Sequence, residues 1–341
     1  MKLLLCLIIS FIFFIKLNAQ NFLAERFSYK YDTTKIIKRL DFSPELAKYF
    51  LNLASYGNCS EDLMNQKLCC NKFLTQEKWE LIQAGTIEFA QYNYSILMNK
   101  NSKKFVFAFP GTRGIPQFMK EVYHQGGVVY DEESSGKIMG YFQSIYTQLK
   151  DNLRKFTKEL VDKYHEYQFI FVGHSLGASM ATIAIHDLIK SKIIPVTVSE
   201  PVLITYGQPR TGNDIFSNEV MKYVPIIFRV VRQGDFIASF PTCDSGYCDS
   251  TCNTILKDGK FNRDIIVSPE QKVLENDSYY KWHIGGLRLF DYEMENFVDC
   301  GLEYGDNNPD SQCKIEVGYS IHTHVEYFGM WISRYCPSNP E

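Results

Sequence analysis

The hexapeptide Gly173-His174-Ser175-Leu176-Gly177-Ala178, placed directly after Phe169-Ile170-Phe171-Val172, constrains this chain more than any other segment. A short continuous apolar run of this kind reads as a buried strand. The residues from Ala178 to Lys190 carry Met180, Ile183, Ala184 and Leu188 near helical spacing, so a helix follows at once. A Gly-x-Ser-x-Gly turn between strand and helix is tight enough to force its serine into a strained backbone. The two glycines keep side chains out of the close approach, and Oγ is left projecting alone above the sheet. The helix directs the positive end of its dipole at that point. Two glycines around a serine are common by chance; the strand and the small-residue helix on either side make Ser175 a candidate nucleophile.

The chain has 341 residues, 45% hydrophobic and 22% charged, which is material for a large core and excludes disorder over most of its length. A formal net charge of -3 gives no electrostatic footprint for nucleic acid. Met1-Lys2, the apolar run Leu3 to Ile15 and the small residue Ala19 read as a signal peptide, residues 1–19. That run is too short to span a bilayer comfortably, and no later stretch is long and apolar enough. The expectation is a secreted protein with no transmembrane segment in the mature chain. Residues 20–341 are expected to form a single domain, because the motifs below run from Thr112 to His324 and must converge. Of the ten cysteines, Cys6 lies in the signal, and the odd number left implies a thiol that is free or bonded between chains. Cys243, Cys248 and Cys252 have no histidine beside them, so a disulfide-tied loop is expected there and no metal site. Asn58, Asn93 and Asn276 open glycan acceptor sequons.

A serine hydroxyl needs a base within reach and an acid to hold that base in the correct tautomer. With the chain order Ser, acid, His, the histidines left for the base are His186, His283, His322 and His324. His186 lies in the helix after the elbow and points away. His324 opens His-Val-Glu-Tyr-Phe-Gly-Met-Trp, a segment able to begin an apolar-faced helix, with His322 its rival in the same loop and His283 in a strand or turn. The acid belongs at the carboxyl end of a later strand. Ile226 to Val231 is the strongest β-branched run of the second half, and Arg232-Gln233-Gly234-Asp235 follows it; Asp214 and Asp244 are weaker candidates. Oxyanion donors are expected from the Leu176 amide and from a loop after an earlier strand. Lys104 to Phe109 is such a strand, and Pro110-Gly111-Thr112 such a loop, with Thr112 offering its amide and hydroxyl.

Taken together, these pieces resemble the class 3 lipase family, from about Cys59 to Cys336. Phe109-Pro110-Gly111-Thr112 resembles its oxyanion loop, and Gly173 to Ala178 its elbow. Tyr206-Gly207-Gln208-Pro209-Arg210-Thr211-Gly212-Asn213 matches a further family signature. Gly234-Asp235-x-Ile237 with Phe240-Pro241 resembles the acid motif, and His324-Val325-Glu326-Tyr327-Phe328-Gly329 the histidine motif. The resemblance implies an α/β-hydrolase fold, a mostly parallel central sheet flanked by helices, and the catalytic set Ser175, Asp235 and His324. It also implies a short amphipathic lid in residues 114–125, with Ile115, Phe118, Met119 and Val122 on its apolar face. Disulfides Cys59 with Cys336 and Cys300 with Cys313 are implied in the same way. Two departures stand out. Pro110 replaces the family's arginine, and Met139 stands where a histidine is usual. The implied activity is ester hydrolysis through an acyl-enzyme on lipid at a lipid–water interface, of triacylglycerol lipase type and without metal or organic cofactor. The alternatives are a phospholipase A1, a non-lipid esterase, or a catalytically silent lipid-binding homologue.

Overall fold

The computed structural model describes residues 40–58, 71–87, 92–112, 136–196, 199–240, 283–301, 313, 315 and 320–332, with the backbone of short strands at 127–129, 243–244, 247–248, 255–257 and 260–262. All belong to one compact unit, Leu40–Glu341. The expected signal peptide, the lid residues Ile115, Phe118, Met119 and Val122, and the Cys59–Cys336 pairing lie outside the described residues.

Eight strands form the main sheet, β1 (Glu80–Ile87), β2 (Tyr92–Asn99), β3 (Lys104–Phe109), β4 (Gln168–His174), β5 (Val202–Tyr206), β6 (Ile226–Arg232), β7 (Leu287–Phe290) and β8 (Phe297–Asp299), and they lie side by side in chain order. The pairs from β3 through β7 are parallel, whereas β1–β2, β2–β3 and β7–β8 are antiparallel. Parallel strands must be buried on both faces, which is why these segments read as unbroken apolar runs rather than as alternation.

Alternate residues nevertheless serve different layers. Phe105, Phe107, Phe109, Phe169 and Phe171 point into one core with Leu203 and Ile227, while Val106, Ala108, Ile170, Val172, Ile204 and Val230 point into the other. Burying one such phenylalanine contributes about 2–3 kcal/mol. A one-residue slip of β3 or β4 would transfer its phenylalanines to the wrong layer, so the register is strongly specified.

The first layer is closed by α2 (Gly140–Lys163) and α3 (Leu176–Lys190), the second by α1 (Pro44–Ser55). Helix α1 starts where Ser43 accepts from the Leu46 amide at 3.1 Å, with Pro44 at its first position. The Tyr206 hydroxyl on β5 donates to the Ala47 carbonyl at 2.6 Å and fixes α1 to the sheet. Helix α2 presents Phe142, Ile145, Tyr146, Leu149 and Leu153 along one stripe. Helix α3 is buried from Leu176 to Ile189, so it is apolar all round rather than amphipathic. Its Asp187 accepts from Tyr146 at 2.7 Å and from Arg154 Nε at 2.8 Å, which ties α2 to the helix behind the elbow. Helix α4 (Asp214–Tyr223) is capped by Asn213, whose side chain also accepts from the Lys137 amide at 3.0 Å.

The expected helix after His324 is a single turn, α5 (His322–Val325), and the chain then forms a tight hairpin, Glu326–Tyr327 against Met330–Trp331. Phe328 and Gly329, both at positive φ, make the turn that stops the helix. Cys300 and Cys313 are joined by a disulfide, as the resemblance implied. Among the described residues no helix is long and apolar enough to cross a membrane.

Candidate active site

The carboxyl ends of β3, β4, β5 and β6 meet at one point, the position where open α/β sheets collect reactive groups. β4 delivers Ser175. Its backbone is held at φ 55°, ψ -125°, an unfavourable region for a residue with a side chain. Crowding explains the strain. A Cβ on Gly173 would lie 2.2 Å from the Gly177 carbonyl oxygen, and one on Gly177 would lie 2.0 Å from that of Phe109, so elbow, helix and β3 loop are packed backbone to backbone. The Ser175 amide is committed to the Tyr206 carbonyl at 2.9 Å. Leu176 opens α3, so its N–H has no acceptor within the helix and faces the same end of the sheet. Pro110 is buried after β3, with Gly111 and Thr112 half-buried beyond it. Met139, where a histidine was the family's habit, is fully buried in the core, its amide donating to the Thr211 carbonyl at 3.2 Å.

β6 delivers Asp235 through the turn Gln233-Gly234. The carboxylate is fully buried and accepts from the Ile237 and Ala238 amides at 2.9 and 3.3 Å, from the Tyr327 hydroxyl at 2.6 Å, and from His324 Nδ1 at 2.9 Å to each oxygen. Burial alone would raise its pKa; the His324 ring and the donors from His324 and Tyr327 outweigh burial and hold it below the ordinary aspartate value. With Nδ1 committed to the carboxylate, Nε2 is the ring nitrogen of His324 left over. Nε2 and Ser175 Oγ are both buried and have no hydrogen-bond partner in the protein.

The histidine turn is moored from several sides. Thr323 donates to the Gly234 carbonyl at 2.6 Å, Arg232 donates to the Glu326 carbonyl at 2.7 Å, and the His174 ring lies 2.8 Å from the His324 carbonyl oxygen. Gly207 supplies the space. It has φ +52°, and a Cβ there would lie 2.6 Å from Asp235 Oδ2 and 2.9 Å from His324 Nδ1.

The structure therefore joins Asp235 to His324 and places Ser175, Leu176 and the Gly111-Thr112 loop at the same end of the sheet. The rivals fall elsewhere. His322 packs edge-on against Trp331, His283 contacts the Ala238 carbonyl at 2.6 Å, and His186 is buried between Phe216 and Tyr223. Tyr327 belongs to the histidine motif, but its bond to Asp235 is not legible in the sequence. Its place three residues beyond His324, on a one-turn helix leading into a hairpin, is the only local signal, and the contact itself spans 92 residues.

Tyr327→Phe is expected to cost about 2 kcal/mol at neutral pH, the loss of a hydrogen bond to a buried charge. Because the folded Asp235 pKa is depressed, its contribution is complete above the unfolded value of about 3.9 and is lost as pH falls through the folded one. The stability gap between wild type and variant should therefore narrow below about pH 4; denaturant titrations at pH 7 and pH 3 check this.

The family model described as Lipase (class 3) matches residues 106–245, which include the β3 loop, the elbow, the Gly207 segment and Asp235. A lipase of Caenorhabditis elegans is 28% identical over 153 residues, covering 43% of this chain and 41% of that protein. A lipase of Rhizopus niveus is 24% identical over 230 residues, covering 66% of this chain and 57% of its own length. The chain thus spans about half the length of these curated relatives. Among solved structures, the lipase from Rhizopus microsporus var. chinensis superposes with a TM-score of 0.63 at 20% identity, over 86% of this chain and 89% of that one, and so shares the fold. The family model lies across the elbow and the acid, and the fold matches over most of the chain, so that residues 106–245 are similar to the class 3 lipase family.

Proposed function

We propose that the protein is an exported serine ester hydrolase that cleaves lipid esters through an acyl-enzyme, with Ser175 as nucleophile, His324 as base and Asp235 as orienting acid. One observation carries the reading. The strained Ser175 and the Asp235-bound His324 each offer one buried reactive atom, Oγ and Nε2, that no other protein group occupies. A purely structural cluster would have no reason to leave both atoms unpaired at a strained turn.

In the reaction, His324 Nε2 takes the Ser175 proton as Oγ attacks the ester carbonyl. The Leu176 amide, with Thr112, donates to the oxyanion, while Asp235 stabilises the imidazolium. Collapse of the tetrahedral intermediate breaks the ester C–O bond, and the imidazolium gives its proton to the departing alcohol. Water then attacks the acyl-serine with His324 again as base, releasing the carboxylic acid and regenerating Ser175.

Lipid as substrate is supported by the relatives named lipases and by the apolar spacing of Ile115, Phe118, Met119 and Val122. Export is supported by the Met1-to-Ala19 pattern and by the Cys300–Cys313 bond. An enzyme that works on aggregated lipid should show a rate jump as a short-chain ester passes its solubility limit. A hyperbolic curve with no break there would instead mark an esterase of soluble substrates. Triolein and phosphatidylcholine in the same assay distinguish a triacylglycerol lipase from a phospholipase.

A further inference from the structure

His174 precedes the nucleophile, yet the reaction above gives it nothing to do. Its side chain is buried, and its one protonated ring nitrogen is engaged by the protein itself. Nε2 lies 2.8 Å from the His324 carbonyl oxygen; a carbonyl only accepts, so Nε2 carries the proton. The ring lies on that of His324, centroids 4.7 Å apart and 31° from parallel, and meets Tyr327 edge-on at 6.0 Å. The β3 loop approaches its Nδ1 edge, where a Cβ on Gly111 would come within 2.8 Å of His174 Nδ1 and 3.2 Å of Ser175 Cβ. Elbow, oxyanion loop and histidine turn, which are far apart in sequence, thus converge on one imidazole.

We propose that His174 is a positioning residue, a neutral strut that sets the distance from the elbow and the Gly111 loop to the His324 ring by donating from Nε2 to the His324 carbonyl. This rests on the Ser175, Asp235 and His324 reading. Neutrality is part of the device. Burial, then the His324 ring, push the His174 pKa down to about 3, so the ring stays uncharged wherever His324 acts as a base. A cation 4.7 Å away would oppose the imidazolium that His324 must become. Nδ1 is left as a bare, buried lone pair without a hydrogen-bond partner. The shape and the Nε2 donor are therefore what the site uses.

Two variants separate the donor from the bulk. His174→Phe keeps a ring and loses the tether, whereas His174→Gln places an amide N–H close to where Nε2 stands. The phenylalanine variant should lose about 10- to 100-fold in kcat with little change in KM, and its serine labelling by a phosphonate should slow in proportion. The glutamine variant should recover most of that loss. The acid limb of the kcat/KM profile should stay in place in both, since the residue removed carried no charge. His174→Phe turning over at the wild-type rate, His174→Gln as slow as His174→Phe, or an acid limb that moves would each overturn the proposal.

If the phenylalanine variant does not fold, nitrogen-15 histidine spectra of the wild type still decide. One imidazole, assigned by its loss in His174→Gln, should remain the Nε2–H tautomer down to about pH 4; titration near pH 6.5 would contradict the strut. Wild type and Ser175→Ala run in the same assay keep the two readings apart. An inactive, unlabelled wild type would strike the nucleophile assignment itself. An active wild type, an inactive Ser175→Ala and an unimpaired His174→Phe would strike only the strut.

Discussion

Ser175→Ala is expected to lower ester hydrolysis by about four to six orders of magnitude while leaving the fold as stable as before. The two halves of that result have separate causes. In the proposed reaction the hydroxyl is the atom that forms the acyl bond, and no neighbouring group can replace it. It makes no hydrogen bond in the protein, so folding loses nothing when it goes. The backbone supplies a further contrast. With φ 55° and ψ -125°, position 175 is strained for any residue bearing a Cβ, and alanine inherits the strain. Ser175→Gly should be equally inactive but more stable, by about 1–2 kcal/mol after the entropy cost of glycine is subtracted. Urea titrations of the three proteins check the order, with glycine above serine and alanine nearly equal. A glycine variant less stable than wild type would mean that the elbow is not strained.

Gly207→Ala should damage both properties together. Its φ of +52° costs a residue with a Cβ about 1 kcal/mol. The larger effect is steric. The new methyl would fall 2.6 Å from Asp235 Oδ2 and 2.9 Å from His324 Cε1 and Nδ1, inside the contact distance of all three atoms. Neither partner can retreat easily, because Asp235 is held by the Ile237 and Ala238 amides and by Tyr327, and His324 by the His174 contact at its carbonyl. Either the acid–histidine pair separates or the β5 end is displaced. The expected cost is about 2–4 kcal/mol of stability, strain and overpacking combined. The expected loss in kcat/KM is at least about 100-fold, since the proposed base would be displaced relative to Ser175. Circular-dichroism melts and ester hydrolysis measured below the melting transition check both figures; a fully active alanine variant would show that the pair is not confined by this glycine.

Gly207 also illustrates what a sequence does and does not disclose. The segment Tyr206 to Asn213 was legible as a family pattern without an evident task. Its glycine turns out to make room for a carboxylate and an imidazole, while Tyr206 anchors α1 and Asn213 caps α4. The strands were legible because a sheet buried on both faces demands unbroken apolar runs: β3 matches Lys104 to Phe109, and the run at Ile226 grew by only Arg232. The elbow was legible because its chemistry is local, all within six residues. Interactions across the fold were not. His174 to His324 spans 150 residues and Tyr327 to Asp235 spans 92, and no periodicity links them. The segment after His324 misled for a local reason, since its apolar spacing suits a helix but Gly329, at φ +71°, reverses the chain into a hairpin.

The most direct test of the account is reaction with a serine-directed alkyl phosphonate, followed by digestion and mass spectrometry of the labelled peptide. A stoichiometric adduct is expected on Ser175, absent in Ser175→Ala, much slower to form in His324→Ala, and formed in step with the loss of esterase activity. Activity that survives complete labelling of Ser175, or an adduct on another residue that accounts for the inactivation, would contradict it.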